Sequence, residues 1–309
     1  MKIVITDPIV TIPKKYIDEW SALGAEIHDD VPADEAALIM RLKDAEIITA
    51  NYVDITKEVI EALPKLKYVI VPAVGYDWVD AEYAATKGIK VINCPTFVTL
   101  SVAEHALALM FALAKRINEA TSDLKSGDWD TAKFRGIQLN GKNLGLIGYG
   151  NIGKMIDKLA TPLGMHVSHV NSKSTLQEVD ELLANSDVVC ICAPLNGSSR
   201  NMVDERRLKL LKDSALLINV GRGAIINQKA LLESLRRGDF AGAGLDVFEG
   251  EPGAKGTVPQ EIQAIVNLPN VVATPHSAFN TPETLERLGA EMTANIRSCI
   301  DGTPENVVN

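Results

Sequence analysis

Several side chains that could bind an anion or move a proton follow apolar, strand-like runs of the sequence. Arg222 follows "LLINV", Asp246 and Glu251 follow "GAGL", and His276 follows "VVATP". Because ligands collect at the carboxyl ends of the strands in a parallel α/β sheet, we expect these side chains to line one site. A guanidinium binds carboxylates, and an imidazole can transfer a proton. The alternatives are a surface arginine, loop carboxylates and a structural histidine.

A glycine motif with the spacing G-x-G-x-x-G lies in the middle of the chain, between the strand-like "NLGLI" and the helical "NIGKMIDKLA". In a dinucleotide-binding fold the first glycine allows a tight turn. The second admits a pyrophosphate, and the third lets the helix pack on the strand. The N–H groups of the first helical turn then face the phosphates. The motif predicts a dinucleotide site, the alternative being a plain turn, and its residues are Gly148, Tyr149, Gly150, Asn151, Ile152 and Gly153.

The position expected to contact the ribose of the cofactor is Asn171, at the end of the strand-like "HVSHVN". An aspartate there would bind the ribose hydroxyl and repel a 2'-phosphate, whereas Asn171 removes that repulsion. Ser172 and Lys173 follow and offer a hydroxyl and a cation that a phosphate could contact. The loop therefore favours NADP over NAD, unless it is merely an exposed polar loop.

The elements that must position these residues alternate along the whole chain between short β-rich runs and amphipathic stretches. This alternation predicts parallel crossovers and an α/β class with two doubly wound, Rossmann-like sheets. Ser101 and Glu104 have the spacing of a capping box, so a long apolar helix is predicted to begin near Ser101. Thr281 and Pro282 predict the start of the last helix.

Length and composition limit the classes of function. The chain has 309 residues, which favours two domains, and a net charge of -9, which argues against nucleic acid as a partner. Asp7 interrupts the first apolar run too early for a signal peptide, and residues 106–114 are too few for a membrane span. We therefore expect a cytoplasmic protein. Cys190 and Cys192 are expected to be core residues rather than metal ligands, and no metal site is predicted.

The order and spacing of several blocks give the chain a specific resemblance to the D-isomer-specific 2-hydroxyacid dehydrogenases. The blocks are "GLIGYGNIG", "APLNGSSRNMVDERRLKLLKDSALLINVGRG", "AGAGLDVFEGEP" and "TPHSAF". The resemblance implies that a cofactor domain is inserted into a substrate domain. Residues 1–99 and 282–309 would form the flavodoxin-like substrate domain, and residues 100–281 the dinucleotide-binding domain. A cleft between the two would close on the substrate.

The resemblance also implies catalytic roles for Arg222, Glu251 and His276. His276 would protonate the carbonyl oxygen of a keto acid during hydride transfer, and Glu251 beside it would favour the imidazolium. Arg222 would bind the substrate carboxylate and polarise the carbonyl. Asp246 matches the aspartate near the nicotinamide. His105, in the first turn of the long helix, is the rival proton donor.

On the substrate side, the loop "VPAVGYDWVD" would offer the backbone N–H groups of Val74 and Gly75 to the substrate carboxylate. Tyr52 in "ANYVD" would face the pocket, and Phe279 would supply either an apolar wall or core packing. This segment contains no arginine to bind a phosphorylated substrate end, which weakens a 3-phosphoglycerate interpretation. The long apolar helix would form the interface of a homodimer through the cofactor domain.

The function implied is reduction of a small 2-keto acid by NAD(P)H. Hydroxypyruvate or glyoxylate are favoured over pyruvate and branched keto acids because the pocket segments look small and polar. A dehydrogenase of another small anion, such as formate or phosphite, is an alternative in the same superfamily. A dinucleotide-sensing corepressor, in which binding matters more than turnover, is an alternative from another class.

Overall fold

The computed structural model describes residues 1–9, 12–253 and 256–309. Short strands and helices alternate along the chain, as the sequence pattern predicts. The strands are β1 (Ile3–Ile5), β2 (Ala25–Ile27), β3 (Ile47–Thr49), β4 (Tyr68–Ile70), β5 (Lys90–Ile92), β6 (Asn143–Ile147), β7 (His166–Val170), β8 (Val188–Ile191), β9 (Leu216–Asn219), β10 (Gly242–Leu245) and β11 (Val271–Ala273). The helices are α1 (Lys14–Ala22), α2 (Glu35–Leu42), α3 (Lys57–Ala62), α4 (Ala81–Thr86), α5 (Thr99–Ala114), α6 (Ile117–Ser126), α7 (Asn151–Ala160), α8 (Leu176–Asn185), α9 (Glu205–Leu208), α10 (Gln228–Arg237), α11 (Gln260–Val266) and α12 (Pro282–Ile300).

The first compact unit contains Met1–Val98 and Asn280–Asn309. Its parallel sheet has the strand order β2-β1-β3-β4-β5. The central strands are runs of Ile and Val because helices on a parallel sheet bury both of its faces. The core side chains between sheet and helices include Ile48, Val69 and Leu42, none of which is exposed to solvent.

The second compact unit, Thr99–Phe279, interrupts the first in sequence. Its parallel sheet has the order β11-β10-β9-β8-β6-β7. After β6 the chain forms β7 on one side of β6, and then returns to form β8 on the opposite side of β6. This reversal creates a topological switch point beside the carboxyl end of β6, where doubly wound sheets bind their ligands. Both units thus have the predicted doubly wound, Rossmann-like class.

Two sequence predictions differ from the structure. The strand β2 was not predicted, because its three residues form a partly exposed edge strand without a continuous apolar run. The capping box at Ser101 and Glu104 was wrong: α5 already begins at Thr99, so Ser101 lies inside the helix. The buried Ser101 hydroxyl donates to the Ala278 carbonyl at 2.5 Å, and this tertiary contact takes the side chain away from a capping role.

The start of the last helix was predicted correctly. The Thr281 hydroxyl accepts a hydrogen bond from the Thr284 N–H at 3.3 Å, and Pro282 occupies the first helical position. In the described part of the chain, no helix combines the length and apolar character that a membrane span requires.

Candidate active site

The loop between β6 and α7 has the backbone geometry that a dinucleotide pyrophosphate requires. Gly148 has a φ of 103°, which side chains rarely adopt, and a Cβ there would lie 2.7 Å from the Ala193 nitrogen. A Cβ on Gly153 would lie 2.4 Å from the Gly148 carbonyl oxygen, so only glycine lets α7 approach β6 this closely. A Cβ on Gly150 would meet nothing within 4 Å. The open side of Gly150 and the N-terminus of α7, at Asn151, therefore fit a bound phosphate.

Tyr149 and Ile152 belong to the same loop, and the Tyr149 side chain is held outside the glycine turn. Its ring stacks on His169 of β7, with the two ring centroids 3.6 Å apart and nearly parallel. Its hydroxyl donates to the Asp157 carboxylate at 2.6 Å. A cofactor contact from Tyr149 would therefore come from its backbone rather than from its phenol.

Asn171, Ser172 and Lys173 form an exposed turn directly after β7. The Asn171 side-chain oxygen accepts from the Lys173 N–H at 2.9 Å, and the Asn171 N–H donates to the Ser174 hydroxyl at 3.2 Å. The Asn171 side-chain oxygen is thus occupied by a hydrogen bond within the turn. Because the carboxamide is neutral, it would not repel a phosphate on the ribose of a cofactor.

His276 and Glu251 lie in direct contact, as predicted. The His276 Nδ1 lies 2.7 Å from Glu251 Oε2, and Glu251 Oε1 accepts from the Phe248 N–H at 2.7 Å. Both oxygens of the carboxylate are therefore fixed, one by backbone and one by imidazole. The contact holds Nδ1 against Glu251 and leaves Nε2 as the nitrogen that can pass on a proton. Phe279 packs edge-on to the His276 ring at 6.5 Å between centroids.

The backbone at His276 is held in a conformation that is unusual for this residue type. His276 has a φ of 51°, in the left-handed region, and its N–H donates to the Asp246 carbonyl at 2.8 Å. Such conformations persist only where the surroundings enforce them, and they are common at functional sites.

Asp246 is the residue that enforces this loop. The residue is 1% exposed, and its carboxylate accepts hydrogen bonds from the Thr274 hydroxyl at 2.6 Å and from the N–H groups of Ser277 and Ala278 at 2.9 and 3.1 Å. The buried charge is therefore satisfied by the segment on either side of His276. Sequence reasoning missed this anchoring role, because it depends on contacts between β10 and a loop about 30 residues later.

His105 belongs to the same network rather than to the exposed site. Its Nε2 lies 2.9 Å from the Thr274 hydroxyl and 3.5 Å from an Asp246 oxygen. His105 thus supports the anchor behind His276, and this placement argues against its role as the rival proton donor.

Arg222 lies where β9 ends, and its position depends on the two glycines around it. A Cβ on Gly221 would come within 2.8 Å of the Ala193 carbonyl oxygen, and a Cβ on Gly223 within 2.0 Å of the Phe248 carbonyl carbon. The Arg222 carbonyl accepts from the Asn219 side chain at 3.0 Å. The Arg222 segment is therefore packed directly against the 248–251 loop that carries Glu251.

Cys190 and Cys192 lie in and just after β8. Cys190 is fully buried, and the Cys192 thiol donates to the Gly148 carbonyl at 3.0 Å. Burial raises the pKa of the Cys192 thiol to about 12, so it stays protonated. Among the described residues, no group of three or more His, Cys, Asp or Glu side chains could hold a metal ion.

The first unit places the other predicted residues at the carboxyl edge of its own sheet. Tyr52 follows β3, while Val74 and Gly75 follow β4. The Val74 carbonyl accepts from the Asn93 side chain at 2.8 Å. Because the peptide bond is trans, this contact also fixes the direction of the Gly75 N–H. Burial raises the pKa of the half-buried Tyr52 phenol above its ordinary value, and the Asp7 charge adds to this, so Tyr52 remains a neutral donor.

Comparisons with known proteins identify relatives over the whole chain. Residues 107–278 match the family described as D-isomer specific 2-hydroxyacid dehydrogenase, NAD binding domain. A glycerate dehydrogenase from Methylorubrum extorquens is 36% identical over 88% of this chain and 88% of its own length. A D-3-phosphoglycerate dehydrogenase from Methanocaldococcus jannaschii is 34% identical over 100% of this chain, which spans only 59% of that protein.

A solved structure has a similar fold over its whole length. It is an acyclic imino acid reductase in complex with NADPH and D-Arg, 32% identical, with a TM-score of 0.92 and with 100% of both chains covered.

Proposed function

The chain belongs to the D-isomer-specific 2-hydroxyacid dehydrogenases, a family of nicotinamide-dependent oxidoreductases, and we propose that it reduces a small 2-keto acid to the D-2-hydroxy acid. The observation that carries this proposal is the 2.7 Å contact between His276 and Glu251, beside the end of the strand that presents Arg222. The dinucleotide supplies the hydride. The protein must supply the proton, bind the substrate carboxylate and exclude competing reactions.

His276 delivers the proton to the carbonyl oxygen, because hydride addition builds negative charge there. Glu251 holds Nδ1, so Nε2 is the donor. In the oxidative direction, the neutral ring accepts the hydroxyl proton through the same nitrogen. The fixed Glu251 carboxylate means that no large reorganisation accompanies either step.

Arg222 binds the substrate carboxylate and the neighbouring carbonyl oxygen, since its planar group can donate two parallel hydrogen bonds. We assign the N–H groups of Val74 and Gly75 to the same carboxylate, and the Tyr52 phenol to the substrate's distal end. We also propose that Asp246 lies near the nicotinamide of the bound cofactor. Its carboxylate holds the segment around His276 at the same time. The first unit is assigned to the substrate and the second to the cofactor.

For the cofactor, we propose a preference for NADPH over NADH. Support comes from Asn171, whose side chain adds no negative charge beside the ribose, and from Lys173 in the same exposed turn. The preference depends on an exposed surface loop, so we expect it to be modest and sensitive to salt.

For the substrate, we favour hydroxypyruvate, followed by glyoxylate. Oxidation of glycerate at its second carbon gives hydroxypyruvate, and the glycerate dehydrogenase relative matches most of this chain. Residues 50–54 carry no cation that could bind a phosphorylated end, which argues against 3-phosphoglycerate. Formate or phosphite oxidation and a corepressor-like sensing role remain the alternatives, and steady turnover of a keto acid would exclude the sensing role.

We also propose a homodimer formed through the second unit. The apolar side chains of α5 itself are largely used inside the unit, where Leu109 and Met110 are buried. Leu100 of α5 is exposed, and further exposed apolar side chains lie just beyond the helix at Ile117, Leu124 and Trp129, the last with 82% of its surface exposed. Light scattering coupled to size exclusion would measure the mass. A cytoplasmic location stays a prediction from the sequence.

Reduction of an imino acid is a second candidate, favoured by the fold match to the imino acid reductase over the full length of both chains. An imine formed from a 2-keto acid keeps the carboxylate that Arg222 would bind, and the reduction again needs a hydride at the same carbon. It differs in needing less from His276, because the imine nitrogen is readily protonated in solution.

One screen separates these candidates. We would measure the loss of absorbance at 340 nm with about ten 2-keto acids against NADH and NADPH, each with and without methylamine. The proposal expects turnover without amine, highest for hydroxypyruvate or glyoxylate. Turnover only with amine would favour imine reduction. In a parallel assay with NAD+ or NADP+, a gain of absorbance with formate or phosphite, and no keto acid turnover, would favour those anions.

A further inference from the structure

Asp7 is a charged residue that has no solvent exposure and takes no part in the proposed proton transfer. It lies two positions beyond β1, at the carboxyl edge of the first unit's sheet. On one side β1 pairs with β3, with Ile3 opposite Ile47, so the segment after β3 lies beside Asp7. A buried carboxylate is costly unless hydrogen bonds compensate for the lost water. Its partners therefore indicate what the charge is used for.

The partners of Asp7 are the backbone N–H groups of Asn51 and Tyr52. The Asn51 N–H lies 3.2 Å from each Asp7 oxygen, and the Tyr52 N–H also donates to this carboxylate. In return, the Asn51 side chain donates to the Pro8 carbonyl at 3.0 Å. The segments 7–8 and 51–52 are thus tied together in both directions, and the second of them carries the Tyr52 phenol.

The charged and titratable groups that act on Asp7, among the described residues, come from two other elements. Arg41 of α2 donates to the Thr6 carbonyl at 2.8 Å and pairs with Asp30 at 2.7 Å, and its charge lowers the pKa of Asp7. The Tyr52 phenol is the other group, and Asp7 raises its pKa. Burial outweighs Arg41 and the two N–H bonds and raises the pKa of Asp7 to about 6.

We propose that Asp7 is a positioning residue for substrate binding: its carboxylate holds the Asn51–Tyr52 segment, and thereby the Tyr52 side chain, in place for the keto acid. This inference rests on the proposed function, because it takes Tyr52 as a substrate-side group. A carboxylate suits position 7 because two N–H donors converge on it, both of its oxygens only accept, and its charge strengthens each hydrogen bond. Neither proton nor hydride passes through Asp7.

A dependence on pH follows from the same contacts. Above pH 6 Asp7 is ionised and accepts both N–H groups. Below pH 6 one oxygen gains a proton and the negative charge is lost, so the hydrogen bonds that hold the 51–52 segment become weaker. The KM for the keto acid should therefore rise on acidification, and Asp7 should affect KM rather than kcat because neither proton nor hydride passes through it.

The first experiment detects the contact between Asp7 and the Asn51–Tyr52 backbone without measuring activity. In ¹⁵N–¹H TROSY spectra of the full chain recorded between pH 5 and 7.5, the amide signals of Asn51 and Tyr52 should shift together with a midpoint near 6. In the Asp7→Asn variant both signals should stay flat. Amide signals that do not titrate in the parent, or that titrate equally in the variant, would overturn the proposal.

The second experiment measures KM and kcat separately, with glyoxylate and with hydroxypyruvate as the substrate. Asp7→Asn should raise the KM for the keto acid about tenfold or more, since it weakens a charge-assisted contact, while kcat and the KM for NADPH stay within about threefold. Asp30→Asn is the matched control, because it removes an acidic group next to Arg41 without touching the 51–52 segment. Its KM should change less than about twofold.

The outcomes separate this inference from the proposed function. A parent enzyme that turns over no keto acid would refute the proposed function, and the amide titration would still decide whether Asp7 holds the segment. An active parent with an unchanged KM in Asp7→Asn would refute the positioning role. Equal losses in both variants would refute it as well, since they would point to the general loss of an acidic charge.

Discussion

Replacing Gly223 by alanine tests whether the contact between Glu251 and His276 depends on how the Arg222 segment packs. Gly223 lies between Arg222 and the buried end of its loop, against the backbone of Phe248. The added Cβ would lie 2.0 Å from the Phe248 carbonyl carbon and 2.3 Å from the Glu249 nitrogen. Both neighbours are backbone atoms, so no side-chain rotation can relieve the contact.

The magnitude follows from the distances. Ordinary contact begins near 3.4 Å, so the 248–251 loop has to move by about 1.4 Å. Glu251 Oε1 accepts a hydrogen bond from the Phe248 N–H, so the carboxylate moves with that loop. A displacement of about 1 Å at a catalytic group costs about 100-fold in rate, and this is the loss we expect in kcat for the keto acid. Overpacking should also lower the free energy of unfolding by about 1–3 kcal/mol.

The assay is steady-state reduction of the keto acid that the parent turns over best, with unfolding by urea as the check on folding. Gly197→Ala is the matched control, because a Cβ there would meet nothing within 4 Å in the same unit. It should keep kcat within about twofold of the parent. A folded Gly223→Ala variant with kcat within about threefold of the parent would refute the reasoning, because the loop would then tolerate displacement.

Three further predictions concern charge. Asn171→Asp should shift the ratio of kcat/KM values toward NADH by about tenfold, since the new carboxylate repels a 2'-phosphate; an unchanged ratio would show that this turn does not contact the ribose. Glu251→Gln should lower reductive kcat/KM by about 10- to 100-fold, because the His276 ring loses the carboxylate that holds Nδ1; a value within about threefold of the parent would contradict the assignment. In the parent, the contribution of Asp7 to the free energy of unfolding should fall as pH rises from 3.8 to 6, because the native state keeps the Asp7 proton that the unfolded chain has lost. Urea unfolding should therefore show Asp7→Asn gaining about 3 kcal/mol relative to the parent between pH 4 and 7, and a constant difference would contradict the raised pKa.

The sequence predicted most of the fold because the interior strands are short apolar runs that repeat at regular spacing. A strand buried on both faces, such as β8, shows an unbroken run of apolar residues. The edge strand β2 lacks that signal and was missed. The start of α5 was misplaced because Ser101 and Glu104 imitate a local capping pattern, while the Ser101 hydroxyl is actually used by Ala278, 177 positions away.

The candidate site was predicted in part. Arg222, Glu251 and His276 were selected by strand ends and by resemblance, and the structure brings Glu251 and His276 into hydrogen-bonding distance. The anchoring of the His276 segment by Asp246 and the hold of Asp7 on Asn51 were not predicted. Both join residues that are close only after the strands have been ordered in the sheet, and no local pattern encodes that order.

The measurement that tests the proton-donor assignment most directly is the turnover of His276→Gln, compared with its binding of the reduced cofactor. Glutamine can hydrogen-bond to a carbonyl but cannot protonate it, so kcat for the keto acid should fall by about 100-fold or more. The dissociation constant for NADPH, measured by fluorescence, should stay within about threefold of the parent. Reduction of keto acids at the parent's rate by this variant would contradict the account.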